Sequence, residues 1–285
     1  MLLLLPLIDA DAVAGTWEQV RRLRDDEAPS TLSPSLQAGY GALVHGMAAA
    51  ARSGHPTQPL RAAATALGFE LVDTDARLEL WPVAPQVAAA GVLILRRGPL
   101  PAELIVAAPH PFHDVGTGQI AASIFDGAPV RGLYLATQDR YASASADPAH
   151  SADHALQAAT ATLADALPGA WFVQIHGFGP TTSLAAAVVS DGAAALPGAL
   201  LAGAVQAVSK ALGVEDVRTG REVPALAGRT NVQGAMLRDR ARFLHVELGQ
   251  QLREQLRKRP AQCMQLALAL VLVASTDGLA MLTQA

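Results

Sequence analysis

A short apolar run that leads directly into a histidine-rich turn constrains the fold more than any other stretch. Residues 104–108 read Leu-Ile-Val-Ala-Ala, and residues 109–117 read Pro-His-Pro-Phe-His-Asp-Val-Gly-Thr. The apolar run does not alternate with polar residues, so it predicts a strand that is covered on both faces. Pro109 ends this strand because proline cannot donate a ladder hydrogen bond. A helical pattern begins at Gly118, and a buried strand followed by a helix is typical of α/β sheets.

The rest of the chain repeats this alternation. Further strands are predicted at 69–72, 78–81, 91–98, 132–136, 171–175, 186–190 and 243–248. The turn at 98–101 predicts that strands 91–98 and 104–108 pair as a hairpin. Helical patterns fill 11–53 apart from a break at 29–34. We therefore expect residues 1–68 to form an N-terminal helical segment packed on a main α/β domain at 69–285.

Composition excludes several classes of protein. The 285 residues are 51% apolar, which is enough for a large core, and the net charge of −4 argues against a nucleic-acid binder. The single cysteine, Cys263, excludes intrachain disulfides and a cysteine-rich zinc site. Any metal must therefore be held by histidine, aspartate or glutamate.

Two apolar segments bear on membranes. Residues 1–8 are apolar but short and lack a basic start, and residues 264–274 are shorter than a bilayer span of about 20 residues. The first is expected to pack on the core, and the second predicts a buried helix that could also form a homo-oligomer interface. We expect a cytoplasmic protein without membrane partners, although the sequence is also compatible with export.

Polar groups follow or end three predicted strands. His110, His113 and Asp114 follow one strand, His176 ends a second, and Glu247 lies in a third. If these strands are parallel, the groups converge at one sheet edge, where ligands bind in α/β proteins. A catalytic zinc needs about three protein ligands and a water. The residues alone leave open whether His110 acts with His113 or with Asp114, or only makes a structural hydrogen bond.

Glu247 is predicted to be a buried carboxylate, which needs either a partner or a shifted pKa. It would be a general base beside the metal, or it would form a salt bridge with Arg253. His245 lies on the same side of the strand. It would support Glu247 or be exposed.

Other polar residues lie in predicted loops. Arg140 suits a bidentate grip on a substrate carboxylate, with a surface ion pair as the alternative. His150 could reach the site and transfer protons, and Asp147 is predicted to be a helix N-cap. Asn231 and Gln233 would orient a substrate or form a turn.

Taken in order, these motifs resemble the zinc carboxypeptidase-like superfamily. They are Pro-His followed by Asp-x-Gly-Thr, then Gln-Ile-His-Gly, then His-Val-Glu-Leu-x-x-x-Leu-Arg, and they span about residues 90–258. The most similar branch contains N-formylglutamate amidohydrolases and poly-γ-glutamate hydrolases. The resemblance implies a three-layer, hydrolase-like α/β/α fold with a mixed, largely parallel sheet.

The same resemblance implies that His110, Asp114 and His176 bind zinc and that Glu247 is the base. The chain departs from the usual carboxypeptidase turn, which has glutamate where His113 stands. Poly-γ-glutamate hydrolases have glutamate before Gly-Thr, displaced by one residue. Asp114 is preferred as the second ligand because the Gly-Thr pair fixes the alignment, and His113 is the alternative.

The expected function is a Zn²⁺-dependent hydrolase of an amide or peptide bond next to a carboxylate. Its substrate would be a small N-acyl amino acid or a γ-glutamyl peptide. One alternative is a metal-dependent ester or phosphate hydrolase. The other is a non-catalytic α/β module in which the histidines are structural, and metal content separates this module from the enzymes.

Overall fold

A computed structural model describes residues 10–54 and 57–275 of the chain. The helices are α1 (Ala10–Arg22), α2 (Pro34–Ser53), α3 (Gln58–Leu67), α4 (Thr117–Gly127), α5 (Ala155–Ala166), α6 (Gly198–Leu212), α7 (Val232–Met236), α8 (Gln250–Arg257) and α9 (Pro260–Ala274). The strands are β1 (Phe69–Asp73), β2 (Arg77–Pro82), β3 (Val92–Arg96), β4 (Leu104–Ala108), β5 (Gly132–Leu135), β6 (Trp171–Phe178), β7 (Ala187–Ser190), β8 (Val217–Thr219) and β9 (Arg242–Gly249). The predicted packing of residues 1–8 lies outside the described residues.

The nine strands found in the described residues form one mixed sheet in the order β1-β2-β3-β5-β4-β6-β9-β7-β8. Strands β5, β4, β6 and β9 are mutually parallel and form its centre. Antiparallel pairs join β1, β2 and β3 to one side, and β7 is antiparallel to β9 on the other. One apolar core lies between the sheet and α4, α6, α8 and α9, and a second lies between the sheet and α2 and α5. The predicted three-layer α/β/α fold is confirmed.

The predicted hairpin of β3 and β4 is wrong. Strand β5 lies between them, antiparallel to β3 and parallel to β4. The chain turns after β3 as the sequence indicates, but β4 is placed one strand further away. Helix α4 then returns the chain to β5, and a crossover of this kind joins parallel neighbours.

The direction of the crossovers creates a crevice at the carboxyl edge of the sheet. The chain leaves β4 for α4, which packs in one core, and leaves β5 for α5, which packs in the other. Adjacent strands whose following segments diverge to opposite faces form a topological switch point, where α/β proteins bind ligands. The histidine-rich turn follows β4, and the loop that carries Arg140 and Asp147 follows β5.

Helix α9 lies over α4 and α6 and buries one side in the core. Its outer side carries three partly exposed apolar residues, Met264, Leu268 and Leu272. The oligomer interface suggested for this helix stays a prediction, as does the domain boundary at residue 68. None of the described helices combines the length and the apolar character needed to cross a membrane.

Candidate metal centre

The register of two central strands brings four polar side chains together. In the parallel pair of β6 and β9, His176 lies opposite Glu247 and Gln174 lies opposite His245. Residues two apart in a strand point to the same face, so all four side chains share one face near the carboxyl ends. The sequence predicts β6 only as far as residue 175, whereas the strand continues through His176 to Phe178.

The turn after β4 adds two more groups. The backbone N–H of Asp114 donates to the carbonyl oxygen of His110 at 2.8 Å, which places the two side chains on the same side of one helical turn. The backbone N–H of Gly177 donates to Asp114 Oδ2 at 3.2 Å and joins this turn to the end of β6. Both side chains are buried, with 1% of His110 and 6% of Asp114 exposed.

His110, Asp114 and His176 form a compact group of possible metal ligands. Each offers one ligand atom, and these atoms lie within 4.8 Å of one another. The Nδ1 atoms of His110 and His176 each lie 3.5 Å from Asp114 Oδ2. Zinc bonds of about 2.0–2.1 Å in a tetrahedron separate neighbouring ligands by about 3.3 Å, so these two separations suit zinc.

Hydrogen bonds on the far side of each ring leave Nδ1 directed at Asp114. His110 Nε2 lies 2.8 Å from Asp147 Oδ1, and His176 Nε2 lies 3.1 Å from Gln174 Oε1. Both of these oxygens are acceptors, so each Nε2 carries a proton and donates it. A neutral His176 therefore presents an Nδ1 lone pair towards a carboxylate oxygen, an arrangement that a cation would stabilise.

The titration of these groups follows from the same contacts. Burial and the nearby charge of His245 lower the pKa of His176 to about 4. Burial also acts to lower the pKa of His110, but hydrogen bonds to Asp114 and Asp147 raise it above its ordinary value. Burial acts to raise the pKa of Asp114, yet the two histidines hold it well below its usual range. The two carboxylates beside His110 therefore favour its positively charged form more than water does.

A second group of possible ligands, His176, His245 and Glu247, adjoins the first and shares His176 with it. His245 Nε2 lies 3.1 Å from Glu247 Oε1, and Glu247 Oε2 is buried with no hydrogen-bond partner among the described residues. Burial acts to raise the pKa of Glu247, but His245 holds it below its ordinary value. His245 is therefore a buried partner of Glu247, and the predicted alternative of an exposed histidine is wrong.

Asp147 is a site residue whose role sequence reasoning missed. Its carboxylate accepts hydrogen bonds from His110 Nε2 at 2.8 Å, Arg140 Nη2 at 2.5 Å and His150 Nδ1 at 3.0 Å. The predicted N-cap is wrong, because α5 begins at Ala155 and is capped by His154. The aspartate and histidine close together after β5 were the available signal.

Arg140 and His150 both contact the group around Asp147. Arg140 Nη1 lies 3.2 Å from His110 Nδ1, and Nη2 donates to Asp147, so the guanidinium is engaged by protein groups and not directed at a substrate. A cation held by His110 would take the place of the first of these contacts. His150 is half-exposed and joins Asp147 to Thr230 Oγ1, which lies 3.1 Å from its Nε2.

Two alternatives that the sequence left open are not formed among the described residues: His113 as a ligand and a salt bridge between Arg253 and Glu247. His113 is exposed, and its ring contacts Tyr141 with centroids 4.9 Å apart. Arg253 donates to the backbone carbonyl oxygens of Val115, Phe178 and Leu248 rather than to Glu247. The geometry therefore favours Asp114 over His113 and leaves Glu247 paired with His245.

A cleft of about 360 Å³ opens onto this centre. Its walls include His110, His176 and Glu247, the loop after β5, and the segment 224–231. Arg229 lies in the lining segment 224–231 and is exposed, and no carboxylate pairs with it among the described residues.

No protein-family model and no curated protein matches the sequence. Among solved structures, the N-acetylmuramoyl-L-alanine amidase from Clostridium difficile 630 is 13% identical, with a TM-score of 0.36, over 65% of this chain and 98% of its own. The LapA aminopeptidase from Legionella pneumophila is 13% identical, with a TM-score of 0.42, over 94% of this chain and 72% of its own. Both TM-scores are below 0.5, so neither similarity establishes a common fold. The resemblance to zinc carboxypeptidase-like proteins stays a prediction.

Proposed function

We propose that this protein is a zinc-dependent hydrolase that cleaves an amide bond next to a carboxylate. One observation carries the proposal: two imidazole Nδ1 atoms converge on Asp114 Oδ2 at 3.5 Å each, while hydrogen bonds occupy both Nε2 atoms. Two imidazoles and one carboxylate are a typical ligand set of catalytic zinc, which leaves a position for water or substrate.

Zinc bound there would polarise a substrate carbonyl and make water a stronger acid. Glu247 would accept a proton from that water at Oε2 and pass it to the leaving nitrogen. Two observations on the Glu247 carboxylate support this role. Oε2 has no hydrogen-bond partner among the described residues, and His245 Nε2 holds Oε1, which fixes the orientation of the carboxylate.

Arg229 is our candidate for the substrate carboxylate. Arg140, which the sequence suggests for this role, has two nitrogens in contact with His110 and Asp147. Arg229 lines the same cleft without a carboxylate partner among the described residues. A guanidinium in this position would bind an anionic group adjacent to the scissile bond.

The decisive experiment is metal analysis combined with two variants. The purified full-length chain should hold about one zinc per chain, and His176→Ala should lose it. Glu247→Gln should keep the zinc but lower kcat at least a hundredfold, because general base catalysis contributes about 10²- to 10⁴-fold. The assay follows amine release from a panel of N-acyl amino acids and γ-glutamyl dipeptides.

The other outcomes separate the alternatives. A folded, metal-free protein that does not take up zinc would show that the histidines are structural. Zinc binding with turnover of phosphate or carboxylate esters alone would reassign the reaction. If Glu247→Gln retained the full rate, another group would be the base.

The carboxylate preference has its own test. N-acetyl-L-alanine and N-acetyl-L-alanine amide differ mainly in the charge next to the scissile bond. Arg229→Gln should raise KM for the acid by about tenfold and leave the amide unchanged, since a hydrogen bond to a charged group contributes about 1.5 kcal/mol or more. Arg221→Gln is the matched control, because Arg221 is also exposed and does not line the cleft.

A further inference from the structure

A chain of buried amide side chains lies behind the candidate metal ligand His176. Gln174, Asn231, Gln233 and Gln157 are each at most 4% exposed, and they come from β6, the start of α7 and α5. Buried amides need fully satisfied hydrogen bonds, because an unpaired donor or acceptor away from water is costly. How these four are joined therefore determines which atom each presents to its neighbour.

Backbone groups fix the orientation at one end. The Gln157 amide nitrogen donates to the carbonyl oxygens of Pro148 at 2.8 Å and Ser151 at 2.6 Å. Its oxygen is thus left to accept from Gln233 Nε2, which also donates to the Pro148 carbonyl at 2.9 Å. The side-chain oxygen of Gln233 then accepts from Gln174 Nε2 at 2.9 Å.

Backbone groups also fix the orientation at the other end. Asn231 Oδ1 accepts from the backbone N–H groups of Gln233 at 3.0 Å and Gly234 at 3.2 Å. Its amide nitrogen therefore donates, and it does so to Gln174 Oε1 at 2.6 Å. Backbone N–H and C=O groups have fixed roles, so the usual ambiguity of amide orientation is removed at both ends.

Gln174 Oε1 consequently faces His176 as an acceptor. His176 Nε2 lies 3.1 Å from it and must carry the proton, which leaves the lone pair on Nδ1, 3.5 Å from Asp114 Oδ2. The opposite tautomer would place two acceptors in contact inside a buried site.

We propose that Gln157, Gln233, Gln174 and Asn231 form an amide relay that fixes the Nε2–H tautomer of His176 and so positions Nδ1 to bind metal. These are positioning residues. The relay also joins the two histidine ligands, because Pro148, whose carbonyl anchors it, follows directly after Asp147, the partner of His110. The tautomer does not depend on the proposed function, whereas the consequence for metal binding rests on it.

The test is ¹⁵N NMR of the histidine rings in the metal-stripped, full-length chain, combined with zinc affinity from competition with a chromophoric chelator. Protonated and unprotonated ring nitrogens give well-separated signals. The wild type should show His176 with the proton on Nε2. Gln174→Met should mix the tautomers and weaken zinc binding by about 10- to 100-fold, the usual effect of losing a partner of a metal-bound histidine.

Two further variants separate the relay from a merely structural role. The double variant Asn231→Asp/Gln233→Met removes both partners that orient the Gln174 amide, while aspartate keeps the oxygen that caps α7, so it too should mix the tautomers. Gln174→Glu keeps an oxygen acceptor at His176 and should retain the tautomer. Gln262→Met in α9 is the matched control, since Gln262 is partly buried and its amide donates to the Leu212 carbonyl.

The outcomes are distinct. The relay is overturned if His176 carries its proton on Nδ1, or if Gln174→Met or the double variant Asn231→Asp/Gln233→Met is folded with an unchanged tautomer. A fixed tautomer with no zinc uptake would leave the relay standing and would refute the proposed function instead.

Discussion

Asp147 offers the sharpest test of how the candidate metal centre is held together. Its carboxylate accepts from His110 Nε2 at 2.8 Å and from the side chains of Arg140 and His150. A carboxylate behind a metal-bound imidazole makes the ring a better ligand and fixes its orientation. Asp147→Asn keeps an acceptor oxygen for His110 but removes the charge, whereas Asp147→Ala removes both.

The magnitudes follow from these contacts. A charge-assisted hydrogen bond is about twice as strong as a neutral one, so Asp147→Asn should weaken zinc binding by about tenfold. Asp147→Ala should approach a hundredfold, or about 2.7 kcal/mol. The alanine variant also leaves Arg140 without its carboxylate. The Arg140 side chain is only 21% exposed and would lose its charged partner. The free energy of unfolding of the metal-free protein should therefore fall by about 3 kcal/mol.

Zinc affinity is measured by chelator competition, and stability by urea unfolding of the metal-free chain. Asp139→Asn is the matched control, because Asp139 lies on the same loop and faces Arg24 at 3.6 Å. A zinc affinity within threefold of wild type for Asp147→Ala, accompanied by lower stability, would refute the reasoning. Asp147 would then support the loop and not the metal.

Three further predictions concern stability and ligand choice. Burial raises the pKa of Asp126 from 3.8 to about 6 despite Arg77, so its ionisation costs the folded state about 3 kcal/mol. The free energy of unfolding of the wild type should therefore fall relative to that of Asp126→Asn as the pH rises from about 4 to 7. A difference between the two proteins that stays constant across that range in urea unfolding would contradict this. Gly177→Ala should destabilise the protein by several kcal/mol in thermal melts, because a Cβ there would lie 2.5 Å from Arg253 Cζ, whose guanidinium caps buried carbonyls. His113→Ala should leave the zinc content unchanged by metal analysis, and loss of zinc would restore His113 as a ligand.

Local sequence determined the elements and pointed to most of the polar groups at the site. The apolar run before Pro109 gives β4 with the predicted bounds, since burial on both faces selects such a run and proline ends it. His110, His176 and Glu247 are recognisable because polar groups stand out where a buried strand ends or carries a carboxylate. The period-two geometry of a strand is also enough to place His245 on the same face as Glu247.

Tertiary structure alone decided which elements are neighbours. Strand β5 lies between β3 and β4 because the crossover through α4 places it there, and the turn between β3 and β4 does not reveal this. Asp147 and Gln174 gave no strong signal, because a loop aspartate suits a helix cap and a strand glutamine suits a surface. Their roles arise from contacts across 37 residues to His110 and 57 residues to Asn231, and separations of that length are set by packing and not by local pattern.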